Sequence, residues 1–453
     1  MGALTTTPKS RSIAGLINKR LPAEAIRLLR ELGSTGDELG LSVYAVGGFV
    51  RDLLLGMENL DMDVTVEGDG IFFAARYAET HDCRVRSHPA FSTAVIVRPD
   101  GSKIDVASTR LEFYESPGVL PTIERSSLRH DLYRRDFTIN TLAFCINSDR
   151  FGLLTDYFGG QQDIQERIVR VLHNLSFVED PTRVFRAIRF EQRLGFHIAP
   201  HTENLIRNAV RMNVLDKVGG SRLLNELVLI LREREPVRAV ARIGNLGLLP
   251  SIHPALKLTG ETERVIHETN QVLAWFRLLY LKDRCEQWQV YFLALCDRLK
   301  QDEFTGICNR LAVPGRVVSR VFGLRRRAIG VLEALQRRLK HGPEIRNSEI
   351  YSCFHDLPLE LLLHLAARTH HEEIKRFVSL YITQLRQVRC VLNGVTLQQM
   401  GIKPGPQLGE IMKYLLAARL DGKVTTLDEE RALALSLFSA NQRNVVAEKP
   451  HPE

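Results

Sequence analysis

Two aspartates that could bind a metal stand two residues apart, Asp61 and Asp63 in the segment LDMDVTV. Residues of strand character follow, and the period of two in a strand would place both carboxylates on one face while Met62 points into the core. Two like charges this close are unfavourable unless a cation compensates them, and hard oxygen ligands suit Mg²⁺ shared with substrate phosphates. An isolated D-x-D pair is more often a solvated strand start, so the neighbouring residues decide between the two interpretations.

A glycine pair before this strand favours an anion site. Residues 43–46 are β-formers that run into Gly47 and Gly48, where the missing side chains allow a phosphate or a sugar to approach the backbone. A helix is predicted from there to Gly56, and its N-terminus, with Arg51 beside it, attracts negative charge. The glycine turn, the arginine and the D-x-D pair therefore share one β-turn-α-β unit, which suits a triphosphate held near metal.

The whole segment, GGFVRDLLLG followed by DMD, resembles the signature of the class II nucleotidyltransferases. That family comprises the CCA-adding and A-adding tRNA nucleotidyltransferases and bacterial poly(A) polymerase. The resemblance implies that Asp61 and Asp63 bind the catalytic metals and that Gly48 and Arg51 bind the nucleotide. The later segment RRDFTIN resembles a second motif of the family, which implies that Arg135 contacts the triphosphate.

A third carboxylate, Asp105, lies in a predicted strand over residues 103–107. If this strand neighbours the D-x-D strand, Asp105 would complete the acidic cradle that two-metal phosphoryl transfer needs. The alternative is an aspartate at a strand edge, and the sequence leaves both interpretations open.

A stripe of arginines is predicted on the helix that starts in the segment EDPTRVFRAIRF. At about 100° per residue these arginines fall within about a third of the circumference, away from the apolar residues of the same helix. The stripe consists of Arg183, Arg186, Arg189 and Arg193. A stripe alone is usually a solvated basic face, whereas beside a triphosphate site it would face phosphates.

Asp180 and Arg183 stand one turn apart at the start of this helix, where Asp180 is expected to be the N-cap. Aspartate would accept a hydrogen bond from an exocyclic amino group, and arginine would donate one to a ring nitrogen. This order matches the Watson-Crick edges of adenine and cytosine and is opposite to guanine and uracil. The segment also resembles the family's E-D-x-x-R motif, which implies nucleotide binding by Asp180, Arg183, Arg186 and Arg189.

The rest of the sequence predicts an α+β protein, in which a nucleotidyltransferase head with a small mixed sheet precedes an all-α neck, body and tail. The predicted divisions are a leader with a lead-in helix, the head, the neck, and a helical body and tail for RNA binding, at residues 1–38, 39–165, 166–235 and 236–453. Residues 109–130 are predicted to form a loop. The basic segment Arg316–Lys340 is expected to be a track for RNA phosphates.

Composition narrows the class of protein. Lys and Arg number 61 against 53 Asp and Glu, and this surplus weakly favours a polyanionic partner. The seven cysteines form no C-x-x-C pair, which indicates reduced thiols rather than structural zinc. No apolar run is long enough to cross a bilayer, and the first residues lack the core of a signal peptide, so a cytoplasmic protein without membrane contact is expected. The oligomeric state is left open.

Together with the resemblance, these residues predict a template-independent enzyme that adds CMP, AMP or both, from CTP and ATP, to the 3′ end of tRNA. In the expected two-metal transfer, one Mg²⁺ on Asp61 and Asp63 activates the RNA 3′-hydroxyl, a second holds the triphosphate, and Arg51 and Arg135 neutralise charge. A poly(A) polymerase is the first alternative, and the sequence does not separate CCA, CC, A and poly(A) addition. A catalytically silent RNA-binding protein is the second alternative, which the intact motifs disfavour.

Overall fold

The computed structural model describes residues 9–113 and 122–447 of the chain. The chain divides into two compact units, one formed by residues 1–257 with 309–312 and the other by residues 258–308 with 313–453. Within the described ranges, no helix is both long and apolar enough to cross a membrane. The predicted four-part division is finer than these two units and stays a prediction.

A mixed sheet of eight strands forms the centre of the first unit, as counted over the described residues. The strands of this unit are β1 (Lys9–Ser12), β2 (Ser42–Val46), β3 (Met62–Glu67), β4 (Arg84–His88), β5 (Thr93–Val97), β6 (Lys103–Ser108), β7 (Arg110–Phe113), β8 (Thr122–Arg125), β9 (Leu142–Cys145), β10 (Leu153–Asp156), β11 (Ile168–Val169) and β12 (His197–Ile198). The order in the large sheet is β1-β10-β9-β2-β3-β6-β5-β4, and the other four strands pair as β7-β8 and β11-β12.

Twelve helices accompany these strands in the described part of the first unit. They are α1 (Ala14–Arg20), α2 (Ala23–Leu39), α3 (Gly48–Leu55), α4 (Gly70–Thr80), α5 (Leu128–Tyr133), α6 (Gly160–Glu166), α7 (Ser176–Glu179), α8 (Arg183–Leu194), α9 (Pro200–Arg211), α10 (Gly220–Leu231), α11 (Pro236–Asn245) and α12 (Leu249–Ile252). Short 3₁₀ turns add Pro89–Phe91, Thr138–Asn140, Ser148–Arg150 and Val214–Lys217. The helix α8 packs against α10 and α11.

The centre of the sheet follows the sequence pattern. In β3, Met62, Val64 and Val66 are buried whereas Asp63 is exposed, because successive side chains of a strand point to opposite faces. The strand β3 pairs with β6 in parallel, and Asp63 lies opposite Asp105 in that register. The predicted neighbourhood of these two strands is therefore confirmed.

The predicted sheet was too small, and the predicted loop at residues 109–130 is partly wrong. Short polar strands such as β1, with the sequence KSRS, carry no alternation of apolar residues that would reveal them. Within the expected loop, β7 and β8 pair as an antiparallel hairpin and α5 follows. The stretch 114–121 of that loop lies outside the described residues.

Beyond residue 257 the described chain consists of helices. They are α13 (Gly260–Leu278), α14 (Gln287–Leu295), α15 (Gln301–Arg310), α16 (Gly315–Arg320), α17 (Arg325–His341), α18 (Asn347–Phe354), α19 (Leu359–Arg368), α20 (Glu372–Thr383), α21 (Gly394–Gln399), α22 (Pro406–Leu420) and α23 (Leu427–Ala447), with 3₁₀ turns at Phe322–Leu324 and Leu385–Gln387. An aromatic core forms in which the rings of Phe292 and Phe322 stack, while Trp288 and Phe304 contact them edge-on. The predicted α+β class with a helical second half is confirmed.

The basic segment expected to contact RNA does not expose all of its arginines. Arg325 is only 3% exposed, because its Nη2 donates hydrogen bonds to three backbone carbonyl groups at 2.8–3.1 Å. These carbonyl groups belong to Cys296, Asp297 and Leu299. Its neighbour Arg326 is exposed. Arg325 therefore supports the fold, and the phosphate track can only involve other residues of the segment.

Candidate active site

A polar cavity of about 550 Å³ lies in the first unit where the β2–α3 turn, the start of β3, residues 134–140 and α8 meet. It collects most of the side chains that the sequence singled out, although they come from segments far apart along the chain. The predicted residues that line it are Gly48, Arg51, Asp61, Asp63, Arg135, Asp180, Arg183, Arg186, Arg189 and Arg193. Asp105 does not line the cavity. It lies opposite Asp63 in the pairing of β6 with β3.

Asp61 and Asp63 line one edge of the cavity, and Asp105 lies next to Asp63 in the neighbouring strand. Asp63 is held in β3 opposite Asp105, whereas Asp61 immediately precedes that strand, so the prediction that both residues of the pair lie within the strand is wrong for Asp61. Desolvation is the main cause that raises the pKa of Asp63 to about 6; Arg135 opposes this rise, and the charges of Asp105 and Asp61 add to it. Desolvation and the charge of Asp61 likewise raise the pKa of Asp105. Negative charge is thus concentrated here without full compensation.

This carboxylate group fits a divalent cation that is shared with a substrate. Within residues 9–113 and 122–447, no three His, Cys, Asp or Glu side chains are close enough to form a complete ligand set. A hard cation such as Mg²⁺ needs fewer protein ligands, because one or two carboxylates hold it while substrate phosphates and waters supply the other ligands. Desolvation, the main cause of the raised pKa of Asp63, disfavours its charged form, and a bound cation would favour that form again. Asp61 and Asp63 would hold it.

The turn before α3 is shaped by Gly47. Its φ is +72°, and a Cβ atom there would lie 2.7 Å from Nη1 of Arg135 and 3.6 Å from Oδ2 of Asp63. No side chain fits this position, and the Arg135 guanidinium lies against the turn, where Nη2 also donates to Oδ2 of Asp131 at 3.2 Å. Because Gly47 provides no side-chain cap, the first N–H groups of α3 are open to an anion.

Arg51 belongs to a buried polar chain that crosses the floor of the site. Its Nε and Nη2 contact Oδ1 of Asp52 at 2.8 and 2.7 Å, and its Nη1 donates to Oδ1 of Asn140 at 2.6 Å. Asn140 in turn donates to Oδ1 of Asp136 at 2.9 Å, and Oδ2 of Asp136 accepts from Arg186. Burial lowers the pKa of Arg51 and the Asp52 charge opposes that effect. The chain ties α3 to α8 through residues 136–140.

Sequence reasoning did not select Asp52, Asp136 or Asn140. All three stand inside motifs that it did use, VRD and RRDFTIN. A signal was available, because arginines at a buried site need carboxylate or amide partners. Their nearest acidic and amide neighbours in the same motifs are these three residues.

Asp180 occupies a different place from the one expected. It directly follows the last residue of α7, and α8 begins only at Arg183 after Thr182, so the predicted role of Asp180 as N-cap is wrong. Its Oδ1 accepts hydrogen bonds from N and Oγ1 of Thr182 at 3.1 and 2.6 Å and from Nη2 of Arg222 at 2.9 Å. These bonds hold the carboxylate at the cavity wall instead of at the helix end.

Arg183 is fixed from both sides. Its Nη1 donates to Oγ of Ser176 at 2.8 Å, and its Nη2 donates to the backbone oxygen of Arg134 at 2.7 Å. The side chain is nearly buried and lines the cavity together with Asp180. An acceptor and a donor therefore share one wall, as the base-reading hypothesis requires, while their contact with a base stays a prediction.

The other arginines of α8 share the face that the sequence predicted. Val184 and Ile188 on the opposite face are fully buried. Arg186 pairs with Asp136, and Nε of Arg189 donates to Glu233 at 2.9 Å. The stripe is a common face that lines the cavity, with two of its members held by carboxylates.

Two family models match the part of the chain that contains the cavity. The family model of the poly(A) polymerase head domain matches residues 43–170, and the model described as a probable RNA and SrmB-binding site of polymerase A matches residues 195–258. An A-adding tRNA nucleotidyltransferase of Geobacter sulfurreducens is 55% identical over 96% of this chain and 50% of that protein. The chain thus spans about half the length of this curated relative.

Solved structures match over nearly the whole chain. A CCA-adding enzyme in an apo form has a TM-score of 0.80 and 33% identity, covering 94% of this chain and 99% of that one. The CCA-adding enzyme of Thermotoga maritima complexed with tRNA has a TM-score of 0.77 and 30% identity, covering 95% and 99%. The chain therefore belongs to the class II nucleotidyltransferase family, which comprises the CCA-adding and A-adding tRNA nucleotidyltransferases and bacterial poly(A) polymerase.

Proposed function

We propose that this chain is a template-independent nucleotidyltransferase that transfers a nucleotide from a triphosphate to the 3′ end of tRNA in the cytoplasm. The observation that carries the proposal is the cavity in which the D-x-D pair, the arginines of two motifs and the acceptor–donor pair of the neck converge. A silent RNA-binding protein would have no need to keep all three groups together. A polynucleotide partner agrees with the surplus of positive charge.

In the proposed reaction the RNA 3′-hydroxyl attacks the α-phosphorus of the bound triphosphate, and pyrophosphate leaves. Arg135, beside the Gly47 turn, and the open N-terminus of α3 bind the phosphates. Arg51 is held too firmly by Asp52 and Asn140 to move far, so it contributes a fixed positive charge to the phosphate site. Asp61 and Asp63 would hold Mg²⁺, which when bound would supply Lewis-acid activation of the hydroxyl and charge stabilisation.

The base is selected at the neck. Asp180 accepts from the exocyclic amino group and Arg183 donates to the ring nitrogen of adenine or cytosine. Because Oδ1 of Asp180 already accepts hydrogen bonds from Thr182 and Arg222, Oδ2 is the oxygen assigned to the base. Arg186 and Arg189 complete the positive wall facing the triphosphate, and Gly48 leaves the turn open to it.

Among the possible products, we favour addition of a terminal AMP. The support is the 55% identity to a relative named an A-adding tRNA nucleotidyltransferase. Addition of the full CCA sequence is the second candidate, since the structures matched over nearly their whole length are CCA-adding enzymes. The acceptor–donor pair alone is compatible with both, because adenine and cytosine share the edge that it reads.

The deciding experiment uses the full chain with Mg²⁺ and tRNA that ends before CCA, in CC, or in complete CCA, given ATP, CTP or both, followed by sequencing of the products. A-addition predicts one AMP on the tRNA ending in CC and no use of CTP. CCA addition predicts CMP incorporation on the shortest tRNA, and a poly(A) polymerase predicts repeated AMP on every RNA end. The Asp63→Asn variant serves as the control without catalysis. If the unaltered protein extends none of these substrates, the proposal is wrong.

A further inference from the structure

We propose that Asn59 is a positioning residue that sets the place of Asp61 at the metal site and links it to the buried pair of Arg51 and Asp52. The inference rests on the proposed function, since it concerns the cation that Asp61 and Asp63 hold there. Asn59 itself would touch neither the cation nor the triphosphate. Its role is to fix a loop whose geometry the sheet does not determine.

The contacts of Asn59 reach in two directions. Its Oδ1 accepts a hydrogen bond from the backbone N of Asp61 at 2.9 Å, and its Nδ2 donates to Oδ2 of Asp52 at 2.8 Å. Asp52 is 1% exposed and uses its other oxygen, Oδ1, for Arg51. Asn59 thus connects a surface loop to a carboxylate in the core.

The loop needs such a connection. Asp63 and Asp105 are placed by the parallel register of two central strands, whereas Asp61 precedes the strand and is exposed. Residues 56–58 and 60 are exposed as well, and Asn59 is the more sheltered residue among them. A backbone hydrogen bond from Asp61 to a side chain that is itself held by a buried carboxylate therefore restricts the one metal-binding residue that lies outside the sheet.

The location of Asn59 supports this role. It lines the 550 Å³ cavity of the candidate active site and also a second cavity of about 640 Å³ that is bounded by Leu53, by residues 55–60 and by residues 20–22. The loop therefore lies between two open spaces, and most of its residues are exposed. Without the Asn59 bonds, Asp61 would be free to move toward either space. Residues that hold metal ligands in this indirect way typically change metal affinity by about 10- to 100-fold when they are replaced.

The test measures cation binding directly, with Mn²⁺ as the probe and free Mn²⁺ followed by electron paramagnetic resonance, on the full chain without RNA. We expect Asn59→Ala to weaken Mn²⁺ binding about tenfold. The variant should bind ATP in EDTA within about twofold of the unaltered protein, because Arg51 keeps both Asp52 and Asn140. A general loss of structure would instead weaken both kinds of binding.

Two further variants keep the result clear. In Asn59→Ser, the hydroxyl can still accept from the N–H of residue 61 but is too short to reach Asp52, so its Mn²⁺ affinity should fall between that of the unaltered protein and that of the Asn59→Ala variant. Glu58→Ala changes an exposed neighbour in the same loop and should bind Mn²⁺ like the unaltered protein. Equal Mn²⁺ affinity in Asn59→Ala and the unaltered protein, or an equal loss in Glu58→Ala, overturns the inference. Because no nucleotide transfer is measured, a failure of the proposed function would show separately in the tRNA extension experiment.

Discussion

Arg186 of α8 contacts Oδ2 of Asp136 through both Nε and Nη2, at 2.9 and 2.6 Å. The pair joins the helix that is expected to read the base to the motif that is expected to bind the triphosphate. Arg186 holds the pKa of the buried Asp136 below its usual value although burial alone would raise it. The two halves of the proposed nucleotide site are thus held together by a charged contact, which mutagenesis can break.

Replacing Asp136 by Ala should destabilise the protein by about 2–3 kcal/mol, since it leaves a partly buried arginine and the amide of Asn140 without their acceptor. Urea unfolding of the full chain measures this change. The matched control is Arg76→Ala, which removes an exposed pair with Glu79 and should cost less than about 0.5 kcal/mol. Equal stability of the two variants would show that the Asp136 contact does not support the fold.

Asp63 should make the metal-free protein less stable as the pH rises. Its pKa of about 6 in the folded chain exceeds the ordinary value of 3.8, so between these values the folded state binds more protons than the unfolded state. Stability therefore decreases as the pH rises through the folded pKa. We expect Asp63→Asn to melt at a higher temperature than the unaltered protein at about pH 7.5 in EDTA, and the difference to shrink below about pH 5. Thermal melting across this range checks the sign, and a difference that grows in acid would contradict it.

The base-reading hypothesis predicts a loss of selectivity from Asp180→Ala. The preference for ATP and CTP over UTP and GTP should decrease by about 1–3 kcal/mol, the range for a good bidentate contact with a base. Arg51→Ala should instead weaken the binding of all four nucleotides together, because the charge proposed for Arg51 acts on phosphates that all of them share. The measurement is the ratio of incorporation efficiencies on one tRNA. If Asp180→Ala lowered all four equally, base selection would lie elsewhere.

Two adjacent arginines in the second unit should behave differently. Arg325→Ala removes three hydrogen bonds to buried carbonyl groups and should cost about 3 kcal/mol of stability. Arg326→Ala affects an exposed side chain and should change stability by less than about 0.5 kcal/mol. If the segment contacts RNA, Arg326→Ala weakens tRNA binding and reduces its salt dependence. A stability loss as large for Arg326 as for Arg325 would contradict the assignment.

Local patterns in the sequence were sufficient for the central unit of the fold. Gly47 and Gly56 flank a helix, and polar and apolar residues alternate around Met62 as in a strand. The helix α3 and the strand β3 could therefore be predicted with nearly correct bounds. The helices α17 and α19 were also predictable, because their apolar residues recur at helical spacing. Such features depend on residues close together along the chain.

The missing parts depend on contacts between distant segments. The sequence around Asn59 does not reveal that Asp52 is its hydrogen-bond partner. The sequence around Arg325 does not reveal the three carbonyl groups that accept hydrogen bonds from its guanidinium. The N-cap assignment of Asp180 failed because α8 begins at Arg183, and the sequence near Asp180 does not reveal its contact with Arg222, 42 residues away. Sequence spacing indicates which residue types can act together, whereas their partners follow only from tertiary packing.

The parallel register of β3 and β6 also bears on how this site can change over time. A slip of one residue in β6 would place Ile104 beside Asp63 and turn Asp105 to the opposite face of the sheet. That slip is opposed by buried residues along both strands, including Val64 and Val106. The exposed turn of residues 99–102, which joins β5 to β6, can therefore vary in composition while the register that places the two carboxylates stays the same. The position of Asp105 depends on the paired strands and not on that turn.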